Sequence, residues 1–286
     1  MKWDQAHILR QLVGKAQPRP RAKVITIVSG KGGVGKTNLV VNLGIALSRN
    51  GKTTTIVDAD LGLANVDVVL GQYFEHDLEH VIKGEKRLED IIGFGPYGLR
   101  IVPSASGVQE MANMSPDERE RLIAELATLE HNTDFLIFDT GAGISRNVLA
   151  FANLADEVIV VVTPEPTSIA DAYALVKLLV STRAAHSIAL VVNRSLSIED
   201  GRATGERFMT LAERFLRHKL RFIGVVSDDV IVSQAVRRQH PFILSHPDSM
   251  PSRQVDAIAR TLAGEAVQPV AERGLLLGLK RLFGGR

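Results

Sequence analysis

The chain of 286 residues carries 34 basic and 32 acidic side chains, so its formal net charge is only +2. With 45% apolar and 23% charged residues it has the composition of a globular protein, which excludes fibrous and wholly disordered classes. It contains no cysteine, which excludes disulfides, thiolate zinc sites, cysteine nucleophiles and cysteine-ligated iron–sulfur clusters. The N-terminus lacks the apolar run of a signal peptide, so we expect a cytoplasmic protein.

Along the chain, three segments are predicted. Residues 1–22 end in two prolines among basic residues, a composition typical of a linker. Residues 23–264 alternate apolar runs with longer amphipathic stretches and are predicted to form the main domain. Residues 265–286 begin as a further linker and end in a short patch of apolar and cationic side chains.

The main domain is predicted to be an α/β fold. Its apolar runs have the length of buried strands and lie at 24–29, 54–58, 100–104, 134–139, 157–163, 188–193 and 222–227. The longer amphipathic stretches have helical periodicity and lie at 39–49, 115–130, 168–183 and 201–218. Strands that are apolar on both faces and separated by helix-length segments predict a mostly parallel central β-sheet flanked by helices on both faces.

The first predicted strand is followed by a phosphate-binding loop (P-loop) with the sequence Gly30-Lys31-Gly32-Gly33-Val34-Gly35-Lys36-Thr37. Its glycines allow successive backbone N–H groups to surround a phosphate, and the N-terminus of the following helix adds its positive end. Lys36 is predicted to contact the β- and γ-phosphates of a nucleotide, and the Thr37 hydroxyl to bind Mg²⁺. We expect residues 30–37 and Asn38 to form the nucleotide-binding site.

Carboxylates stand at the ends of two later strands. Asp139 ends an apolar strand where a metal ligand is needed, and the small residues up to Gly143 let a backbone N–H approach the γ-phosphate. Asp58 and Asp60 end another strand, and a carboxylate there can orient the attacking water or support the metal. We assign Asp58 to nucleotide and metal binding, together with Thr37 and Asp139, and Asp60 to catalysis. The roles of Asp58 and Asp60 can be exchanged.

The identity of the base is predicted from the end of a further strand. A guanine site of the common type needs an Asn-Lys-x-Asp run, whereas this chain has Asn193 followed by Arg194 and Ser195. Asn193 can pair with the amino group and ring nitrogen of adenine, with Arg194 beside it. An asparagine that merely ends the strand is the alternative. Adenine is favoured, so the expected cofactors are ATP or ADP with Mg²⁺.

Lys31 directly follows the first glycine of the loop, where ordinary P-loops need no lysine. The loop closely resembles the deviant P-loop of the MinD/ParA ATPases, and Asp58-Ala59-Asp60 and Asp139-Thr140 support the same resemblance over residues 23–264. In that family the extra lysine reaches the nucleotide of a partner subunit in an ATP-sandwich dimer. The resemblance implies an ATPase that forms a homodimer with ATP, with Lys31 and Lys36 among its catalytic residues.

Two further stretches, 60–67 and 164–173, look like those of the FlhG-type flagellar-number regulators within this family. The N-terminal segment matches their Asp-Gln-Ala-x-x-Leu-Arg motif at Asp4, Gln5, Ala6, Leu9 and Arg10. In these regulators the segment stimulates the signal-recognition-type GTPase FlhF. The resemblance implies FlhF as a partner, with flagellar basal-body proteins or a transcription factor as further partners.

The C-terminal patch is predicted to be an amphipathic helix. At about 100° per residue, its apolar face consists of Leu275, Leu276, Leu279, Leu282 and Phe283. Cationic residues lie opposite, as in helices that rest on a membrane surface. We expect reversible attachment to the inner face of the cell membrane, strengthened by avidity in a dimer. A helix packed on the protein's own core is the alternative.

These features predict a slow switch ATPase in which ATP builds the dimer, the dimer binds membrane and partner, and hydrolysis resets it. A MinD-type division-site ATPase shares the fold and membrane helix but does not need the N-terminal motif. A ParA-type DNA-segregation ATPase would bind DNA non-specifically, with Arg194, Arg202, Arg237 and Arg238 as candidate residues. A metabolic ligase of the same fold lacks a visible second-substrate signature. The near-neutral charge argues against specific nucleic-acid binding.

Overall fold

The computed structural model describes residues 21–60, 65–104, 114–185 and 187–264. The N-terminal motif and the apolar and cationic C-terminal patch lie outside these residues. The division of the chain into three segments therefore stays a prediction. Within the described ranges no helix has the length and apolar character needed to cross a membrane.

Eight strands form one sheet. Their bounds are β1 Lys23–Val28, β2 Thr54–Ala59, β3 Gly93–Phe94, β4 Arg100–Val102, β5 Phe135–Thr140, β6 Glu157–Val162, β7 Ile188–Ser195 and β8 Arg221–Ser227. They lie in the order β3-β4-β2-β5-β1-β6-β7-β8, and all neighbours pair in parallel except β3 with β4. The parallel strands begin at one end of the sheet, called the amino end below, and finish at the carboxyl end.

The α-helices of the described part are α1 Lys36–Arg49, α2 Val66–Leu70, α3 Leu78–Ile82, α4 Leu88–Ile91, α5 Pro116–Thr128, α6 Arg146–Leu154, α7 Pro166–Ser181, α8 Ile198–Leu216, α9 Val230–Arg237, α10 Phe242–Ser245 and α11 Met250–Gly264. Local sequence explains several of their starts. Ser115 and Glu118 form a capping box at the start of α5, and the Ser197 hydroxyl accepts a hydrogen bond at the start of α8. Prolines occupy the first position of α5 and α7, where a missing N–H costs nothing.

Helices cover both faces of the sheet because both faces are apolar. Neighbouring residues of one strand face opposite sides, so Val24 of β1 packs in one core and Ile25 in the other. In the same way, Leu136 and Ile137 of β5 belong to different cores. The first core is covered by α5, α6 and α7, and the second by α1 and α11. This arrangement confirms the predicted α/β class with helices on both faces.

The shorter helices α2, α3, α4, α6, α9 and α10 lie outside the four predicted helical stretches, and two further elements also differ from the sequence-based expectation. β3 is an antiparallel strand at the outer edge of the sheet, and its two residues are too few to leave a periodic pattern. α11 is a long helix after the last predicted strand and packs against α1 and β8. The predicted strands and the four predicted helices are otherwise present, with ends that differ by a few residues.

Candidate nucleotide-binding site

The P-loop connects β1 to α1 at the carboxyl end of the sheet, so its backbone meets the N-terminus of a helix. Gly35 enters α1 in a left-handed conformation, with φ 85°, which strains any residue that carries a side chain. A Cβ on Gly30 would lie 2.3 Å from the carbonyl carbon of Asp171, so α7 passes directly against the loop. The Ser29 hydroxyl donates to the carbonyl oxygen of Lys31 at 3.0 Å. The loop is therefore held by its own strand and by α7.

Gly30 and Gly33 allow a matched test of this packing. We expect Gly30→Ala to lower the free energy of unfolding by about 1–3 kcal/mol, because the new Cβ collides with rigid backbone. Gly33→Ala introduces only the cost of a left-handed alanine, about 1 kcal/mol, because no atom lies within 4 Å of the added Cβ. Urea unfolding of both variants measures the difference. Equal losses would show that α7 does not confine the loop.

Lys36 and Asp139 form a buried ion pair beside the loop. Lys36 is 8% exposed and Asp139 1%, and Nζ of Lys36 contacts Oδ1 of Asp139. Burial raises the pKa of Asp139, while the Lys36 ammonium and the Thr37 hydroxyl oppose that rise. The Lys36 ammonium is predicted to contact phosphate. It is also the main group that favours the ionised form of Asp139.

The oxygen atoms next to this pair fit a magnesium ion. Oδ2 of Asp139 is buried and has no hydrogen-bond partner in the part of the chain that the structure describes. Thr37 lies beside the same carboxylate in the first turn of α1. Carboxylate and hydroxyl oxygens are hard ligands that suit Mg²⁺, and phosphate oxygens and water commonly fill its remaining positions. Thr37 and Asp139 are the residues that would hold the metal, and this role stays a prediction.

Asp58 is buried and holds the backbone that follows β2. Its Oδ1 accepts from the N–H of Asp60 at 3.1 Å, and its Oδ2 accepts from the N–H groups of Asn65 at 3.1 Å and Val66 at 3.2 Å. Burial, reinforced by the neighbouring Asp139 carboxylate, raises the pKa of Asp58 to about 7 despite these hydrogen bonds. Both oxygens thus already have partners, and the prediction that Asp58 binds nucleotide and metal stays a prediction.

The raised pKa of Asp58 predicts a pH-dependent stability. Between its ordinary pKa of 3.8 and about 7, the folded protein binds a proton that the unfolded chain has lost. We expect the free energy of unfolding without nucleotide to fall as pH rises through this window, by up to about 4 kcal/mol from this group. Urea titrations across the window measure the slope. Asp58→Asn should flatten it, because an amide does not titrate, and an unchanged slope would assign it to other groups.

Asp60 is the more accessible carboxylate at the end of β2. It is half-buried, and a Cβ on Gly141 would lie 3.2 Å from its Oδ1, so it faces the small residues after β5. The N–H of Gly143 donates to the carbonyl oxygen of Ser29 at 2.8 Å. The predicted contact of Gly143 with a phosphate would have to replace that bond. Accessibility favours Asp60 over Asp58 as the group that orients water.

Lys31 lies at the surface of the loop, in contrast to Lys36. Its side chain is 38% exposed, and its ammonium donates to Oε2 of Glu165 at 3.0 Å and to Oγ1 of Thr167 at 2.9 Å. Both partners stand where β6 passes into α7. The two lysines of the P-loop are therefore separated, with Lys36 inside the site and Lys31 at its rim.

A cavity of about 340 Å³ opens beside the P-loop at the carboxyl ends of β7 and β8. It is lined by Gly33, Gly35, Asn38, Leu39, Asn193, Arg194, Val226, Ser227, Asp228, Val232, Ser233, Val236, Arg237, Phe242 and Val255. Its size and its mixture of apolar and polar residues suit the base and sugar of a nucleotide whose phosphates lie on the loop. The structure thus brings predicted loop residues and predicted base-contacting residues to one place.

Asn193 and Arg194 brace the loop as well as lining the cavity. Nδ2 of Asn193 donates to the carbonyl oxygen of Val34 at 2.7 Å. The Arg194 guanidinium lies 3.5 Å from the carbonyl oxygen of Gly33 and 3.7 Å from the carboxylate of Asp228. Asn193 therefore does more than end a strand, and its contact with adenine stays a prediction.

The side of the cavity formed after β8 was not predicted from the sequence. It contains Asp228, which follows the strand, and apolar residues of α9 and α10 such as Val232, Val236 and Phe242. A signal for Asp228 existed, because it ends an apolar run and parallel strands finish at the same end of a sheet. The apolar helix residues carry no such signal, since an apolar residue on a helix usually belongs to the core.

Comparison with known families matches residues 21–263 to ParA, described as a NUBPL iron-transfer P-loop NTPase. This match runs through the whole described fold. Iron transfer through cysteine ligands does not extend to this chain, because it has no cysteine.

Relatives and solved structures agree with that match. The antiactivator FleN of Pseudomonas aeruginosa is 42% identical over 238 residues, which cover 83% of this chain and 85% of FleN. The flagellum site-determining protein YlxH of Helicobacter pylori is 33% identical over 291 residues, 98% of each chain. The septum site-determining protein MinD of Pyrococcus horikoshii, solved with Mg-ADP, has a TM-score of 0.70 and 26% identity over 85% of this chain and 98% of its own. Because the family match covers the whole nucleotide-binding fold and a relative extends over 98% of the sequence, this chain belongs to the ParA/MinD family of P-loop ATPases.

Proposed function

We propose that this chain is an ATP-dependent molecular switch that controls the number and placement of flagella. The observation that carries the proposal is the 33% identity, over 98% of this chain, with a protein named for determining the flagellum site. A second relative is named an antiactivator, which supports a transcription factor as one partner. Flagellar basal-body proteins are the other proposed class of partner.

In the proposed ATPase cycle, the loop backbone and the Lys36 ammonium bind the phosphates of ATP. The cavity beside the loop holds the base, with Asn193 at its wall. Mg²⁺, when bound, would offset the negative charge that develops on the transferred phosphoryl group. Asp60 orients the attacking water, since it is the accessible carboxylate at the end of β2.

We propose that ATP creates a homodimer and that Lys31 senses it. Lys31 and its partner Glu165 are both partly exposed, and ion pairs in contact with water contribute about 1 kcal/mol or less. The Lys31 ammonium can therefore leave Glu165 at little cost and turn to the nucleotide of a partner subunit. A lysine at the rim of the site suits this role better than the enclosed Lys36.

The two terminal segments are proposed to connect the switch to its surroundings. Residues 1–22 would stimulate the GTPase FlhF through the N-terminal motif, with Gln5 and Arg10 as polar contacts. The C-terminal patch would attach the ATP dimer reversibly to the inner face of the cell membrane. Hydrolysis would separate the subunits and weaken that attachment, because two anchors in one dimer bind with greater avidity than one.

Deleting the gene in the organism that encodes this chain tests the proposal. We expect a changed number or position of flagella, counted by electron microscopy. Wild-type protein should restore the pattern, Lys36→Ala should not, and Lys86→Ala, at an exposed lysine outside the site, should restore it. Unchanged flagella with misplaced septa would instead assign the protein to division-site selection. Unchanged flagella with loss of plasmids or chromosomes would assign it to DNA segregation.

A further inference from the structure

α8 runs antiparallel to β8 and projects beyond the amino end of the sheet. A Cβ on Gly201 would meet Val225, and one on Gly205 would meet Phe222, so α8 advances toward the start of β8. From Gly205 to Phe215 the helix continues for roughly 15 Å at about 1.5 Å per residue. β8 extends only one residue beyond Phe222 in that direction, about 3 Å. The last turn of α8 therefore extends past the start of β8, with Leu216 packed against the first core and its neighbours Phe215 and Arg217 in solvent.

This projecting end, called the α8 tip, consists of Arg214, Phe215, Arg217 and Lys219. Phe215 is 61% exposed, and the Arg214 guanidinium lies 5.3 Å from the centre of its ring. Arg217 ends the helix with a φ of 51° and is exposed. The Lys219 side chain is 85% exposed and lies 3.5 Å from Glu213, an exposed pair of the kind that contributes little. The tip thus combines positive charge with an aromatic ring in solvent.

The described chain ends at the same end of the sheet. Gln254 of α11 exchanges two hydrogen bonds with Ser227, at the carboxyl end of β8. Four residues later, a Cβ on Gly224 would meet Ile258, so α11 also runs toward the amino end. Gly264, a further six residues or about 9 Å along the helix, lies roughly level with the start of β8. Residues 265–286, called the C-terminal segment here, contain the C-terminal patch that is proposed to bind the membrane, and they follow Gly264 directly.

We propose that the α8 tip is a second membrane contact, which binds the headgroup region of anionic lipids while the C-terminal segment is attached to the same bilayer. This inference rests on the proposed membrane association. Cations supply attraction to anionic lipid, and an exposed ring gains from burial at the interface. Nucleic acid offers the same negative charge, but the exposed Phe215 favours a bilayer, as does the end of α11, from which the proposed membrane segment continues, at the same end of the sheet.

This placement also leaves the nucleotide site accessible. The P-loop and Lys31 lie at the carboxyl end of the sheet, whereas the α8 tip and Gly264 lie at the amino end. A bilayer at the amino end therefore does not compete with a partner subunit at the nucleotide. Two contacts on opposite faces of β8 would also orient each subunit on the membrane, which a single contact does not do.

A fluorescent reporter tests the contact directly. The chain has one tryptophan, Trp3, so Phe215→Trp in a Trp3→Phe background places the sole tryptophan at the α8 tip. With ATP and Mg²⁺, we expect its emission to shift to the blue on phosphatidylcholine vesicles containing phosphatidylglycerol, and not on phosphatidylcholine alone. Tyr73→Trp in the same background is the matched control, because Tyr73 is exposed and directly follows Gln72, whose side-chain amide donates to the carbonyl oxygen of Phe94 at the other edge of the sheet. An unshifted Phe215→Trp emission on vesicles that bind the protein overturns the inference.

Charge reversal tests the energetic role of the α8 tip. Arg214→Glu with Arg217→Glu and Lys219→Glu should lower partition onto the same vesicles roughly 100-fold or more. The control reverses three exposed cations between α3 and α4, namely Lys83→Glu, Lys86→Glu and Arg87→Glu. It makes the same change in net charge and should lower partition less. Circular dichroism and ATP affinity, unchanged in both variants, would show that the fold is intact.

The outcomes separate this inference from the proposed function. If the full chain sediments with vesicles and the α8 tip variant sediments equally well, the second contact is wrong and the membrane association stands. If the full chain with ATP does not sediment, the proposed membrane association fails and the second contact fails with it. If the tip variant instead loses salt-sensitive retention on DNA while its vesicle binding is unchanged, the tip binds nucleic acid and the inference is overturned.

Discussion

Lys36→Ala is expected to weaken nucleotide binding roughly 10- to 100-fold and to destabilise the folded chain as well. The first effect follows because a charge-assisted contact with phosphate is lost. The second follows because Asp139 is left as a buried carboxylate without its partner, which typically costs about 3–5 kcal/mol. Calorimetric titration with ATP measures the affinity, and urea unfolding without nucleotide measures the stability.

A double variant separates the two effects of Lys36. Adding Asp139→Asn to Lys36→Ala removes the unpaired charge, so most of the lost stability should return. Nucleotide affinity should stay low, because neither the ammonium nor the proposed metal ligand is restored. If Lys36→Ala alone unfolds at the wild-type urea concentration, the buried pair does not contribute as the geometry indicates.

Lys31→Ala is expected to abolish the ATP-dependent dimer while changing nucleotide affinity less than about threefold. The reason is that Lys31 lies at the rim of the site and is held by exposed partners, so its removal leaves the phosphate-binding loop intact. The free energy of unfolding should fall by about 1 kcal/mol or less, as for other exposed ion pairs. Light scattering with ATP and a parallel titration measure dimerisation and binding.

Lys86→Ala is the matched control for Lys31→Ala, since it removes another exposed lysine of the same chain. It should dimerise with ATP like the wild type. A dimer that persists in Lys31→Ala would remove this lysine from the proposed subunit contact. Loss of nucleotide binding in Lys31→Ala would place the side chain within the phosphate site of its own subunit.

The sheet class and the P-loop could be predicted because their signals are local. An apolar run followed at once by the glycine-rich residues 30–37 defines a strand, a turn and a helix start within a few residues. Strands that are apolar on both faces indicate a parallel sheet covered by helices, whatever the order of the strands in that sheet. β3 and α11 escaped prediction because a two-residue edge strand has no period, and α11 follows the last apolar run.

The roles of individual site residues could not be predicted from local sequence signals. Asp58 and Asp60 stand two residues apart at the end of β2, and nothing in the sequence separates their roles. Packing separates them, because the surrounding backbone encloses Asp58 with three N–H donors and leaves Asp60 half-open. Lys31 and Lys36 are likewise distinguished by burial, which depends on α7 and on Asp139 a hundred residues away.

The sequence by itself thus determined the α/β class, the P-loop and the residue types that are predicted to bind phosphate and metal. Only the tertiary structure decided which lysine is enclosed, which carboxylate is accessible, and that β8, α9 and α10 complete the cavity beside the P-loop. It also decided that the end of α8 and the end of α11 reach the same end of the sheet, on opposite faces of β8. The physical reason is that burial, pKa and proximity arise from contacts between residues far apart in the chain, whereas strand, turn and helix signals arise between neighbours.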